Sequence, residues 1–253
     1  MPGMDAWVYS QPYQAQAVGG DIHYVSMCGM GRIGRFFLAD VAGHGNEVSG
    51  LAIELRRLMR RSINRPDQTR IARGLNRAFG RLSTSGVFAT AAIMTYFAPT
   101  DQLLCCLAGH PRPLWYRAHS QRWSMLEPSD SGGHAFQGYP LGIIHPTEYR
   151  QFAVTLARGD LIVAYTDALI EAHAPGGDLL GEAGLLALAE TTYSGAPARF
   201  GRDLIAAVDL AAGDTIATRA DDLTLLVLHH NAADPPPVSL AHRLRMMAKM
   251  LGL

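Results

Sequence analysis

The feature that most constrains the fold is a carboxylate at the end of a buried strand, followed by a glycine turn and a helix. The run from Phe36 to Ala39 is short, aromatic and without helical periodicity, which predicts a buried strand. Asp40 follows it, and a Gly-His-Gly turn at residues 43–45 precedes a helical pattern that begins near Asn46. A carboxylate on so tight a turn, with backbone oxygens beside it, suits hard cations such as Mg²⁺ and Mn²⁺.

Carboxylates border other predicted apolar strands in the same way. They are Asp21, Asp40, Asp167 and the adjacent pair Asp221 and Asp222. Strand ends hold ligands rigidly, and carboxylates without cysteine ligands favour Mg²⁺ or Mn²⁺ over zinc. Two such ions can bridge a water, lower its pKa and direct it at a phosphorus atom. Acids also cap turns in proteins that bind no metal, but the repetition here favours a metal site.

Size, charge and cysteine usage narrow the class of protein. A chain of 253 residues with 48% hydrophobic and 17% charged residues forms one substantial domain or two small ones. A formal net charge of zero argues against nonspecific nucleic-acid binding. We find no signal peptide and no apolar run long enough to span a membrane, so we expect a cytoplasmic protein. Cys28, Cys105 and Cys106 are odd in number, so a disulfide framework is not expected.

Two helices are predicted after the glycine turn, at residues 46–64 and 67–82. Nine arginines lie between Arg56 and Arg81, with Asp67 as the only acid among them. A solvated polar face is the favoured interpretation, and a docking surface for an acidic partner is the alternative. Farther along, the polar segment 121–137 predicts a surface loop.

Several other motifs are absent or fit another interpretation better. The spacing of Gly29, Gly31 and Gly34 matches the dinucleotide fingerprint, but a strand follows instead of a helix, so we predict a hairpin turn. The Gly-x-Ser-x-Gly elbow of serine hydrolases and the Walker phosphate loop are missing. His44 and His110 lie in glycine-containing turns, where a turn or hydrogen-bond role is favoured over metal binding.

The ordered set of motifs resembles a known family. The set is Gly19-Gly20-Asp21, Ala-Asp-Val-Ala-Gly-His-Gly at 39–45, Phe88-Ala89-Thr90, Ala-Gly-His-Pro-Arg-Pro-Leu at 108–114, Pro140-Leu141-Gly142, Gly-Asp-Leu at 159–161 with Tyr165-Thr166-Asp167, and Asp221-Asp222-Leu223-Thr224. Together they are similar to the PPM-type metal-dependent serine/threonine protein phosphatases, in the bacterial SpoIIE/RsbU-like branch. The resemblance covers about residues 7–229, nearly the whole chain.

This resemblance implies an α+β fold, an α-β-β-α sandwich of two antiparallel sheets flanked by helix pairs, with the site at one end between the sheets. It implies two Mn²⁺ or Mg²⁺ ions, held by four acids that are also the catalytic candidates, with the Val41 carbonyl assisting. Those acids are Asp21, Asp40, Asp167 and Asp221. Asp222 is a further metal candidate, but the resemblance favours Asp221, leaving Asp222 to hold the turn.

The resemblance also implies hydrolysis of phosphoserine and phosphothreonine by a metal-bridged water, without a covalent intermediate. The usual substrate in that branch is a small anti-sigma-factor antagonist, and the two helices at 46–82 are the regulatory switch, where a regulatory protein would bind. The rival interpretation is a catalytically weak PPM-like binding module that docks a partner through the arginine-rich helices. Intact acids favour the enzyme, and two departures keep the rival open.

The two departures are Tyr24, where the family often has a second acid, and Ala168, where a glycine usually follows the aspartate. If the backbone at Ala168 requires a positive φ, the extra Cβ costs about 1–2 kcal/mol and strains the neighbouring Asp167.

The predicted organisation is a phosphatase domain at 1–230, a proline-rich linker at 231–237 and a basic amphipathic helix at 238–253. The helix is inferred from a stripe of Leu240, Leu244, Met247 and Leu251. It either packs on its own domain or contacts a partner or an anionic membrane surface.

Overall fold

The computed structural model describes residues 1–12, 19–28, 31–43, 46–83, 86–128, 138–173, 177–213 and 221–234. The strands in chain order are β1 Asp5–Gln11, β2 Ile22–Cys28, β3 Ile33–Val41, β4 Ala89–Phe97, β5 Gln102–Ala108, β6 Leu114–Arg117, β7 Arg122–Met125, β8 Phe152–Thr155, β9 Leu161–Tyr165 and β10 Leu223–His229. The helices are α1 Asn46–Ser62, α2 Gln68–Leu82, α3 Gly181–Thr192 and α4 Pro197–Ala212. A short 3₁₀ helix, Asp167–Leu169, follows β9.

The strands form two five-stranded sheets in which all neighbours are antiparallel. Sheet I has the order β1-β10-β9-β6-β7, and sheet II has the order β2-β3-β4-β5-β8. α1 and α2 pack on the outer face of sheet II, and α3 and α4 pack on the outer face of sheet I. This architecture confirms the predicted α+β sandwich of two antiparallel sheets flanked by helix pairs.

Strand β3 shows why the core has three layers. Phe36 and Leu38 lie in the core between the sheets, whereas Phe37 and Ala39 lie in the core beneath α1 and α2. Side chains alternate along a strand, and because both faces of β3 are buried, its sequence from Phe36 to Ala39 is continuously apolar. The same alternation directs Asp40 towards the space between the sheets, at the end of the strand.

Local predictions met different outcomes. β2 and β3 pair antiparallel, with Cys28 opposite Ile33, which confirms a hairpin in place of a dinucleotide site. The surface loop predicted from residue 121 is wrong in its first part, because β7 occupies it and pairs with β6. Trp123 is buried there while Arg122 is exposed. A four-residue alternation is too short to stand out in sequence.

Cys105 and Cys106 are buried free thiols on opposite faces of β5, as their adjacency predicted. Within the described ranges, no helix is long and apolar enough to cross a membrane. The proline segment at 235–237 and the predicted tail helix at 238–253 lie outside the described residues, as does His44.

Candidate metal-binding active site

Acids from both sheets meet at one end of the sandwich. Asp21 precedes β2 and Asp40 lies near the end of β3, so both belong to sheet II. Asp167 follows β9 and Asp221 precedes β10, so both belong to sheet I. β2 and β3 are antiparallel neighbours, as are β9 and β10, and each pair therefore brings the end of one strand beside the beginning of the other.

The electrostatics of Asp40 show how close these acids are. Burial raises the pKa of Asp40 from 3.8 to about 9, and repulsion from four other carboxylates adds to the effect of burial. In order of decreasing influence they are Asp21, Asp167, Asp221 and Asp222. The structure therefore brings the four other candidate carboxylates within electrostatic range of Asp40.

Two further acids have raised pKa values for related reasons. Burial raises the pKa of Asp21 to about 8, with repulsion from Asp222 and Asp167 adding to it and hydrogen bonds from threonine hydroxyls opposing it. Burial raises the pKa of Asp167 to about 6, with repulsion from Glu171 and Asp221 as further causes. Clustered carboxylates resist simultaneous ionisation unless a cation compensates them.

Asp21 is held across the gap between the sheets by a threonine hydroxyl. The Thr166 hydroxyl donates to Asp21 Oδ2 at 2.9 Å and accepts from the Thr224 N–H at 2.9 Å. The other oxygen, Asp21 Oδ1, is buried and has no hydrogen-bond partner within the described part of the chain. A buried, fixed carboxylate oxygen without a partner is costly unless it binds a ligand.

The Gly19-Gly20 turn fits tightly against two of the candidate ligands. The Gly20 N–H donates to Asp222 Oδ2 at 2.5 Å. A Cβ on Gly19 would lie 2.2 Å from Asp222 Oδ1, and a Cβ on Gly20 would lie 2.8 Å from the Val41 carbonyl oxygen. Only glycine allows the turn to approach so closely, and the approach places Asp222 and the Val41 carbonyl next to Asp21.

Asp221 and Asp222 occupy different sides of the group. Asp222 is buried, whereas Asp221 is exposed and accepts a 2.7 Å hydrogen bond from the Asp222 N–H. Repulsion from Asp221 raises the pKa of Asp167, and it raises the pKa of Asp40 more than repulsion from Asp222 does. Repulsion from Asp222 raises the pKa of Asp21. Asp222 therefore fixes the glycine turn, and the exposed Asp221 lies on the side of the group nearer Asp167 and Asp40.

The donor set matches a hard divalent cation. It consists of carboxylate and carbonyl oxygens, it includes the unpartnered Asp21 Oδ1, and its raised pKa values favour a compensating positive charge. Among the residues that the structure describes, no group of three or more His, Cys, Asp or Glu side chains is placed to hold an ion as it stands.

Comparison with protein families identifies the group to which the chain belongs. The family described as Stage II sporulation protein E (SpoIIE) matches residues 32–231, well over half of the chain. The chain belongs to the SpoIIE family. The match begins just before β3 and ends just after β10, so it includes the elements that carry Asp40, Asp167 and Asp221.

Solved structures share this SpoIIE-family fold. The RsbU and RsbW domains of a Mycobacterium tuberculosis protein match with TM-score 0.74 and 25% identity, over 99% of this chain and 69% of that one. The PP2C phosphatase domain of SpoIIE from Bacillus subtilis, with a fragment of its regulatory domain, matches with TM-score 0.71 and 15% identity, over 89% and 63%. RsbX in complex with magnesium matches with TM-score 0.64 and 17% identity, over 89% and 94%.

The two departures from the family pattern have simple structural explanations. Ala168 lies inside the 3₁₀ helix and does not have a positive φ, so its Cβ causes none of the strain considered from the sequence. The Ile170 and Glu171 N–H groups donate to the Asp167 carbonyl at 2.8 and 2.9 Å. Tyr24 packs towards Phe37, in the core beneath α1 and α2, and not among the acids.

Sequence reasoning missed three residues that shape this SpoIIE-family site. Thr166 connects the two sheets by its hydrogen bond to Asp21, and the Thr224 N–H donates to the Thr166 hydroxyl. Glu171 lies close enough to raise the pKa of Asp167. The available signals were the threonine that immediately precedes Asp167 and an acid one helical turn after it. His110, weighed above as a ligand, is buried, and burial lowers its pKa to about 3. Its Nδ1 is hydrogen-bonded to the Thr90 hydroxyl at 2.8 Å.

Proposed function

We propose that this SpoIIE-family chain is a metal-dependent phosphoprotein phosphatase that hydrolyses phosphoserine and phosphothreonine. The observation that carries the proposal is the meeting of Asp21, Asp40, Asp167 and Asp221 at one end of the two sheets, with pKa values raised by burial and mutual repulsion. Membership of the family supports it, and so does the solved RsbX structure, which contains magnesium.

Two Mn²⁺ or Mg²⁺ ions would neutralise the carboxylates, activate a water and stabilise the charge on the phosphoryl group. The four acids named above would hold them, with the Val41 carbonyl and Asp222 close by. Thr166 orients Asp21 so that its free oxygen stays available, and the Gly20 N–H fixes Asp222. These hydrogen bonds fix Asp21 and Asp222 before a cation binds, which lowers the free-energy cost of organising the site.

We further propose that the substrate is a regulatory protein such as an anti-sigma-factor antagonist. The support is the similarity to a chain that joins RsbU and RsbW domains. A separate regulatory protein would contact the helices at 46–82, of which α1 packs directly on β3, the strand that carries Asp40. A change in how these helices pack would therefore be transmitted to that carboxylate.

The second candidate function is a binding module without strong catalysis. It is favoured by the exposed arginines of α1, since Arg56, Arg60 and Arg61 have no ion-pair partner among the described residues. Such a surface could hold an acidic partner without any hydrolysis. The two candidates differ in whether the purified chain turns over a phosphate ester.

The test is hydrolysis of an aryl phosphate by the purified chain across a Mn²⁺ titration. We expect turnover that depends on Mn²⁺, and we expect Asp40→Asn and Asp167→Asn to abolish it while remaining folded. Asp101→Asn is the matched control, because Asp101 lies in the β4–β5 turn at the far end of the sandwich. Turnover that persists in EDTA, or full activity of Asp40→Asn, would contradict the metal mechanism. No turnover under any condition would favour the binding module.

A further inference from the structure

A small cavity lies between the end of α2 and the segment that precedes β8. Its volume is about 190 Å³. Its walls include Arg77, Gly80 and Arg81 on the helix and Gly142, Ile143 and His145 on the facing segment. The site described above uses none of these residues.

The wall of the cavity facing α2 is firmly fixed. Asn76 is buried, its side-chain amide donates to the Ile144 carbonyl at 2.8 Å, and its amide oxygen accepts from the Gly142 N–H at 2.7 Å. Gly142 has φ +93°, and a Cβ there would lie 3.0 Å from the Phe79 ring. The segment is therefore held at a set distance from α2 by a satisfied buried amide, so the cavity is a defined feature of the fold.

The segment that lines the cavity passes next to the strands that end at the candidate metal site. Leu141 pairs with Ala89 of β4, and Ala89 pairs with Val41 at the end of β3. Two neighbouring steps across a sheet measure roughly 10 Å. A phosphorylated side chain bound at the carboxylates would thus leave its neighbouring residues within reach of the cavity.

The cavity carries positive charge that no described acid neutralises. Arg77 and Arg81 are exposed, and neither has an ion-pair partner in the described ranges, whereas Arg70 and Arg73 of the same helix pair with Asp67 and Glu148. No acidic residue is among the described residues that line it.

Exposed apolar side chains lie in and next to the charged cavity, because Ile143 lines it and Leu82 follows Arg81 in α2. Ile143 is 50% exposed, and Leu82 of α2 is 41% exposed. A cavity with two guanidinium groups and an apolar rim suits a peptide that presents carboxylates, because arginine pairs with carboxylates through two parallel hydrogen bonds.

We propose that the cavity binds acidic side chains that flank the phosphorylated residue of the substrate, so that Arg77 and Arg81 give the enzyme a preference for acidic sequences. The proposal deepens the phosphatase function proposed above and rests on it for the position of the phosphorylated residue. The occupant is an acidic segment of the substrate protein, which complements the charge of the cavity and reaches it from the carboxylate site.

The experiment compares the full chain with a double variant, Arg77→Gln with Arg81→Gln. The matched control is Arg199→Gln with Arg202→Gln on α4, which covers the other sheet and where both arginines are exposed. The substrates are two phosphoserine peptides that differ only in having flanking glutamates or flanking glutamines. At low salt, we expect the kcat/KM of the parent to be about tenfold higher for the glutamate peptide than for the glutamine peptide, because its KM is lower.

The cavity variant should lose this preference, and the control variant should keep it. Both should hydrolyse an aryl phosphate at the parental rate. The preference should also shrink as salt is added, because the arginines are exposed. Equal kcat/KM values for the two peptides in the parent, or an equal loss of preference in both double variants, would overturn the assignment.

A binding measurement separates this proposal from the proposed function. Fluorescence anisotropy of a labelled, unphosphorylated glutamate peptide needs neither Mn²⁺ nor turnover. Weaker binding to the cavity variant than to the control variant supports the acidic docking site even when the parent hydrolyses no phosphate ester. Equal binding to parent and cavity variant refutes it, whatever the outcome of the aryl phosphate assay.

Discussion

Replacing Asp40 by asparagine should stabilise the metal-free protein while removing its phosphatase activity. Asp40 has a pKa of about 9 in the folded state, because of its burial and the repulsion from neighbouring carboxylates, and 3.8 as its ordinary value. Between these two pH values the folded state binds a proton that the unfolded state has released. The free energy of unfolding of the parent therefore falls as pH rises through this range.

The magnitude follows from the same two pKa values. At pH 7 the difference from 3.8 corresponds to about 4 kcal/mol of lost stability, at about 1.4 kcal/mol for each pH unit. Asparagine removes this proton-linked penalty, although burying its amide costs about 1–3 kcal/mol. The net gain is about 2 kcal/mol, or a rise in Tm of roughly 5 °C for a chain of this size.

The assay is urea unfolding in EDTA at several pH values between 5 and 8. The stability gap between Asp40→Asn and the parent should widen by about 1.4 kcal/mol for each pH unit. Asp101→Asn is the control, and it should lower the free energy of unfolding instead of raising it. Burial of Asp101 is outweighed by hydrogen bonds from Tyr96 and His230, which hold its pKa below the usual value. Asparagine also tolerates the positive φ found there. The reasoning fails if the gap does not change with pH, or if Asp40→Asn is the less stable protein at pH 8.

Three further outcomes test the surroundings of Asp40. Asp221→Ala should lose far more Mn²⁺-dependent turnover than Asp222→Ala. Asp222→Ala should lower Tm more, because only Asp222 is buried against the glycine turn. The reverse order of activities would reassign the two acids. Gly19→Ala should lower both Tm and Mn²⁺ affinity, since the Cβ of the alanine would lie 2.2 Å from Asp222 Oδ1. An unchanged Mn²⁺ affinity would contradict the close fit. Ala168→Gly should leave Mn²⁺ affinity unchanged and destabilise the protein by about 0.5–1 kcal/mol; tighter Mn²⁺ binding would show that the alanine strains the site.

The sequence was sufficient to place the acids at strand ends because the signals for those positions are local. Asp40 follows an apolar strand and precedes a glycine turn, and Asp167 follows another apolar strand, so each acid was placed at a strand end without knowledge of the fold. The antiparallel sheets and flanking helix pairs, however, were predicted from the resemblance and not from residue patterns.

What the sequence did not reveal depends on contacts between distant residues. The hydrogen bond from Thr166 to Asp21 joins positions 145 residues apart, and the bond from Gly20 to Asp222 joins positions 202 residues apart. No local pattern marks such pairs, since they form only when the sheets pack. The cavity beside Arg81 could not be predicted from the sequence either, because it depends on where the segment at Gly142 lies against α2.

The division of the acids between the two sheets links cation binding to the packing of the sandwich. Asp21 and Asp40 belong to sheet II, which α1 and α2 cover, whereas Asp167 and Asp221 belong to sheet I. Without a compensating charge, repulsion among these acids opposes their full ionisation, and bound cations would relieve it. By linkage, a partner that binds α1 and α2 and raises cation affinity must itself bind more tightly, by the same factor, when cations are present. The arginine-rich helices are thus placed where binding of a partner can change the affinity of the site for its cations.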